Sequence, residues 1–180
     1  MTVTVPLPDA AATRALGERL ASVLVAGDLV VLTGGLGAGK TTLTQGIGAG
    51  LGVRGQVASP TFIIARVHPP LADGPALVHV DAYRLTSLAE VDALDLDADV
   101  DDSVTVVEWG AGLVEDLTAD RLEVEVVRPR GEADEPRRAL LHGVGARWAG
   151  VDLAAVVGVR VSDAGVADGV HPTSQPERPR

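Results

Sequence analysis

Apolar and polar residues alternate from Thr2 to Val5, the period of a half-buried strand. Asp9 then supplies an N-cap for a helix whose apolar residues Leu16, Leu20, Val23 and Leu24 recur at helical spacing, and Gly27 closes it. The run DLVVLT, Asp28 to Thr33, reads as a buried strand. Gly34 to Lys40 is too rich in glycine for either element, and helical spacing resumes from Thr41 to Leu51 before Gly52. Phe62 to His68 and Ala76 to Val80 read as two strands joined by a loop of hairpin length, PPLADGP, and so as an antiparallel pair. Ser87 to Ala93 fits a short helix and Thr105 to Val107 a buried strand. Arg121 to Val127 and Arg138 to His142 form a second hairpin around RPRGEADEP, and a last helix is expected over Ala146 to Val157.

Strands interleaved with helices point to a three-layer α/β fold. Its central sheet is mainly parallel, and the hairpins contribute antiparallel strands. Residues 1–161 are read as one domain. From Ser162 the small, polar and proline-rich residues offer too little apolar surface to offset ordering entropy, so residues 162–180 are expected to form a disordered tail.

Composition narrows the function classes. The chain has 180 residues, a net charge of −10 and no cysteine, which removes disulfides, thiolate metal sites and thiol nucleophiles together. No apolar run is long enough to span a bilayer and no signal peptide is visible, so a cytoplasmic protein with no membrane association is expected. The negative charge disfavours direct binding of nucleic acid by the chain alone. Lysine occurs once, at Lys40, against fourteen arginines; a position that keeps a compact ammonium in an arginine-biased chain draws notice.

Lys40 belongs to Gly34-Gly35-Leu36-Gly37-Ala38-Gly39-Lys40-Thr41, which satisfies the phosphate-binding pattern G-x-x-x-x-G-K-[ST] and lies between a strand and a helix, where that chemistry requires it. Such a loop turns successive N–H groups toward phosphate oxygens, and the helix behind it adds the positive end of its dipole. Lys40 would reach the β and γ phosphates, the Thr41 hydroxyl would bind Mg²⁺, and Thr42 would add a hydroxyl near the α phosphate. The P-loop needs acids at the ends of nearby strands, and ALVHVD and SVTVVE deliver Asp81 and Glu108. Asp81 suits a direct or water-mediated Mg²⁺ contact; Glu108 suits a second metal contact or a hydrogen bond to the attacking water. Thr61, in Ser59-Pro60-Thr61-Phe62, stands where a nucleotide switch carries a threonine, or in an ordinary strand-entry turn.

Taken in order, Gly34 to Thr42 (GGLGAGKTT), SPTF, HVDAYRL (His79 to Leu85) and VEWG (Val107 to Gly110) resemble the TsaE (YjeE) family over roughly residues 10 to 145. The resemblance implies a small Mg²⁺-dependent P-loop ATPase that works with the TsaB and TsaD proteins. It supports their transfer of a threonylcarbamoyl group to the adenosine beside the anticodon of tRNAs reading codons that begin with A. It implies that ATP hydrolysis resets the complex, that TsaD performs the transfer, and that tRNA is met through the complex. Position by position it makes Lys40 the phosphate lysine, Thr41 a metal ligand, Thr61 the switch threonine, Asp81 a metal-side acid and Glu108 a metal-side or water-orienting acid. It also raises Tyr83, Arg84 and Trp109, the last as a wall of the nucleotide crevice or a partner surface. One position departs from the family: Gly35 stands where most members carry an acid.

Other signals lead elsewhere. Asp95-x-Asp97-x-Asp99 begins like a calcium loop, but Val100 and Val106 stand where the glycine and the bidentate glutamate are required. Leu85 to Asp120 holds eleven acids and no Lys or Arg, either a solvated face or a docking face for a basic partner. His68, His79, His142 and His171 lack metal-type spacing and read as strand or surface residues. Arg128, Arg130, Arg137 and Arg138 gather at one hairpin end. The competing enzyme class is a P-loop kinase acting on a small molecule, for which no arginine-bearing lid is evident. The third reading is a GTP switch, but the chain has no asparagine, so the usual guanine-reading N-K-x-D motif is impossible and ATP is favoured.

Overall fold

In the computed structural model, residues 1–58, 65–84, 102–114, 118–128 and 136–159 are described. The elements are β1 (Thr2–Leu7), α1 (Ala10–Ala21), β2 (Leu29–Thr33), α2 (Lys40–Leu51), β3 (Ala65–His68), β4 (Ala76–Asp81), a 3₁₀ turn (Ala82–Arg84), β5 (Ser103–Glu108), β6 (Arg121–Val127), β7 (Arg137–Val144), α3 (Ala146–Ala149) and α4 (Leu153–Val157). They build one mixed seven-stranded sheet in the order β1-β7-β6-β2-β5-β4-β3. The inner strands β6, β2, β5 and β4 run parallel, while β3 pairs antiparallel with β4, and β7 with both β6 and β1. This is the α/β arrangement with antiparallel flanks that the interleaved pattern predicts, and it is consistent with the P-loop NTPase fold.

Burial follows position in the sheet. β2 and β5 lie inside and are buried along almost their whole length, whereas β1 at the edge buries only Val3, Val5 and Leu7. One face carries the larger core, in which Leu16 and Leu20 of α1 and Leu43 and Ile47 of α2 cover Val30, Leu32, Val104, Val106 and Leu122. The other face holds a smaller aliphatic cluster of Leu29, Val31, Val78, Val80 and Val107 under Ala82 and Val114. Helices α1 and α2 cross at backbone contact. A Cβ on Gly17 would lie 2.4 Å from the Leu43 carbonyl oxygen, and one on Gly46 would lie 2.1 Å from that of Arg14. Gly17 and Gly46, with Gly50, whose Cβ would lie 2.5 Å from that of Ala21, therefore set how closely α2, the helix that follows the glycine loop, rides on α1.

The N-cap at Asp9 forms as expected, its Oδ1 accepting from the Ala12 N–H at 2.7 Å. Two helix boundaries differ from expectation. α1 ends at Ala21, where the Ser22 hydroxyl donates to the Arg19 carbonyl, so Val23 and Leu24 lie beyond the helix. The last helix is two: Gly150 ends α3, and the Asp152 carboxylate caps α4 by accepting from the Ala155 N–H at 3.0 Å. The SPTF segment, the expected Ser87 to Ala93 helix, most of the acidic run, the RPRGEADEP loop and the tail from Ser162 lie outside the described residues. Among the described residues no helix is long and apolar enough to cross a membrane.

Candidate nucleotide site

β2 ends at the middle of the sheet's C-terminal edge, and the chain must turn sharply there to reach α2. Gly34 makes the turn at φ 131°, with its α-carbon so close to β6 that a Cβ would stand 2.3 Å from the Val126 carbonyl oxygen. The loop closes with an Ala38 N–H to Gly35 carbonyl bond of 3.1 Å. Gly39, at φ 118°, begins α2 with no side-chain cap, and no acidic residue lies in the first turn. The positive end of a twelve-residue helix thus faces the loop with no acid in the helix's own first turn, which suits an anion.

Lys40 is buried, and its ammonium donates to the carbonyls of Gly34 at 2.9 Å and Gly35 at 3.2 Å. It also lies 3.7 Å from the centre of the Trp109 ring. Burial holds the Lys40 pKa below its ordinary value, opposed by the charges of Glu108 and then Asp81. Trp109 has φ 63°, the one non-glycine residue in the left-handed region among the described residues. Its N–H donates to the Leu32 carbonyl at 3.0 Å, and the Tyr83 ring meets the indole edge-on at 5.2 Å. A backbone strain of order 1 kcal/mol or more is thus accepted immediately after Glu108, where it lays an aromatic face on the loop lysine.

The two acids converge as the strand ends predict. Asp81 and Glu108 are register partners on the adjacent parallel strands β4 and β5, and Glu108 is in turn the partner of Leu32 beside the loop. Alternation along β4 places Leu77, His79 and Asp81 on one face. The Glu108 carboxylate is 3 % exposed: its Oε1 accepts from the Thr41 hydroxyl at 2.9 Å and from His79 Nε2 at 2.9 Å, and its Oε2 is 3.2 Å from the same hydroxyl. Asp81 is half-buried, and its Oδ1 accepts from the Tyr83 N–H at 3.1 Å.

Of the residues predicted from sequence, Lys40, Thr41, Glu108 and Trp109 meet directly, Asp81 stands beside Glu108 in register, and Gly34 to Gly39 with Thr42 complete the loop and the first turn. Thr61 lies outside the described residues. The residue the sequence reading passed over is His79, fully buried against Glu108. Its signal was available: a polar side chain two positions before Asp81 on a strand otherwise apolar on that face needs a buried partner. Among the described residues no group of three or more His, Cys, Asp or Glu is placed to hold a metal. Two carboxylates and a hydroxyl are a hard-oxygen set, too few to cage a cation alone. They fit Mg²⁺, which keeps water and shares its remaining positions with phosphate oxygens.

The family described as "Threonylcarbamoyl adenosine biosynthesis protein TsaE" matches residues 7–138. The tRNA threonylcarbamoyladenosine biosynthesis protein TsaE of Streptomyces coelicolor is 61% identical over 147 residues, spanning 81% of this chain and 99% of that protein. The protein of the same description from Mycobacterium tuberculosis is 51% identical over 132 residues, 69% of this chain and 79% of its own. A crystal structure of YdiB from Bacillus subtilis superposes with a TM-score of 0.68 at 29% identity, covering 88% of this chain and 95% of that one. Matched along most of its length by the family and by these relatives, the chain belongs to the TsaE family of tRNA threonylcarbamoyladenosine biosynthesis.

Proposed function

We propose that this chain is a Mg²⁺-dependent ATPase that works in the cytoplasm with TsaB and TsaD, and that its hydrolysis of ATP resets their complex between transfers of threonylcarbamoyl to tRNA. The observation that carries the reading is the hydrogen bond between Thr41, at the start of α2, and Glu108, at the end of β5. It draws the anion-binding loop and a strand-end acid into one crevice.

In this reading the loop N–H groups and the α2 N-terminus take the phosphate oxygens, and Lys40 exchanges its two carbonyl acceptors for the β and γ phosphates. Thr41, Asp81 and Glu108 would hold Mg²⁺, and the chemistry it would supply there is neutralisation of the charge that develops on the transferred phosphoryl group. Oε1 of Glu108 already has two donors, so Oε2 is the oxygen better placed to accept from the attacking water. That water oxygen bonds the γ phosphorus as one of its protons passes to Glu108 Oε2, the bridging oxygen leaves with ADP, and inorganic phosphate is released. Trp109 walls the crevice above Lys40.

The test is incubation with γ-labelled ATP and Mg²⁺, with and without TsaB and TsaD. Label is expected in inorganic phosphate, with turnover abolished by Lys40→Ala or Glu108→Ala. Label accumulating on a small acceptor would establish the kinase class instead, and normal turnover in either variant would remove the role given to that residue.

A further inference from the structure

We infer that His79 is a positioning residue: through Nε2 it fixes the orientation of the Glu108 carboxylate independently of Thr41. This rests on the ATPase reading above. The imidazole is wholly buried in β4, and among the described residues it makes one polar contact, Nε2 to Glu108 Oε1 at 2.9 Å, with no partner for Nδ1. A carboxylate oxygen accepts, so Nε2 carries a proton and is the donor in this contact. An imidazole with one unsatisfied nitrogen is a costly occupant for a strand position whose neighbours Val78 and Val80 are aliphatic and fully buried. The donor aimed at Glu108 is what an aliphatic side chain there would lack.

Division of labour follows from where the two donors sit. Thr41 lies at the N-terminus of α2, and in the proposed site its hydroxyl oxygen also faces the metal. His79 lies inside the sheet, held by the β4–β5 register, and among the described residues its hydrogen bond goes to Glu108 and not to the loop. It therefore keeps one Glu108 oxygen engaged whatever Thr41 does, and leaves the other turned to the crevice. Outer partners that orient a functional carboxylate change activity by about 10- to 100-fold when lost.

Two experiments test this. In the first, phosphate release is measured with the partner proteins for His79→Leu, which keeps bulk and removes the donor, and for His79→Gln, whose amide nitrogen reaches the place of Nε2. His79→Leu is expected to lose about 10- to 100-fold in kcat with the KM for ATP changed by less than about 3-fold, and His79→Gln to recover most of the loss. Equal impairment of both variants, or a kcat for His79→Leu within about 2-fold of wild type, would overturn the inference. The second readout needs no turnover: nitrogen NMR of the ¹⁵N-histidine-labelled, nucleotide-free protein is expected to show a proton on His79 Nε2, and an unprotonated Nε2 would overturn the inference even if His79→Leu failed to fold. If the wild type released no phosphate, the ATPase reading would fail while the NMR result still decided the His79–Glu108 arrangement.

Discussion

Gly46→Ala is expected to destabilise the protein although alanine is the better helix former. A methyl at Gly46 would stand 2.1 Å from the Arg14 carbonyl oxygen, against the roughly 3.3 Å of an ordinary carbon–oxygen contact, so about 1.2 Å must come from separating two helix backbones. Overpacking typically costs about 1–3 kcal/mol, and here the obstacle is backbone, which cannot rotate away, so the upper end applies. Replacing glycine inside a helix returns about 1 kcal/mol. The net loss is about 2 kcal/mol, or about 4–8 °C in Tm for a chain of this size. The control is Gly150→Ala at the break between α3 and α4, where φ is −98° and a Cβ meets nothing within 4 Å. There the smaller entropy of the unfolded chain should leave stability unchanged or raise it by about 0.5 kcal/mol. Urea unfolding followed by circular dichroism measures both. Gly46→Ala matching or exceeding wild-type stability would show that α1 and α2 separate freely, and the account of how α2 is held would be wrong.

Arg147 donates to both oxygens of buried Asp28 at 3.0 and 2.9 Å and to the Val23 carbonyl at 2.6 Å, so Arg147→Ala leaves that carboxylate, among the described residues, with the Val25 N–H alone. A loss of about 2 kcal/mol is expected in the same unfolding assay, below the 3–5 kcal/mol of a fully buried pair because the arginine is partly exposed; no loss would refute the clip. Burial lowers the His68 pKa from its ordinary 6.5, against a hydrogen bond with the Arg54 backbone. Below pH 6.5 the unfolded chain therefore takes up a proton that the folded chain resists, and stability falls with pH by at most about 1.4 kcal/mol per unit until the folded group titrates. His68→Gln should flatten that slope in unfolding curves at pH 7.5 and 5.5, and an unchanged slope would assign the pH dependence to other groups. Thr41→Val keeps shape but removes a donor to Glu108, so folding should persist while ATP turnover falls about 10- to 100-fold; full turnover would detach Thr41 from the chemistry.

What was legible in the sequence was local. The Asp9 cap, the all-buried β2, the loop from Gly34 and the glycine stop at Gly52 each depend on a few consecutive residues, and all form as written. The paired α3 and α4 were also within reach. Gly150 and Asp152 are a stop and a cap in the right order, but an apolar run of helical spacing across them masked the break. Pairing between distant strands was not legible. The phosphate pattern calls for glycine at Gly34, but nothing in Arg121 to Val127 says that it lies beside β2, so the Val126 carbonyl that would meet a side chain there could not be foreseen.

The same limit separates the parts of the site. Its loop and its two acids can be found one motif at a time, because a phosphate nest and a strand-end carboxylate each carry their own pattern. What joins them comes from register: Asp81 beside Glu108, and His79 one pleat behind, donating across β4 to β5. The left-handed turn at Trp109 is likewise set by a cross-strand bond to Leu32. A glycine would adopt that φ without strain, so the indole's contact with Lys40 is what the strained residue supplies. Residues that bind could be named from their neighbours in sequence; residues that aim them, His79 and Trp109, acquire their roles from neighbours in the sheet.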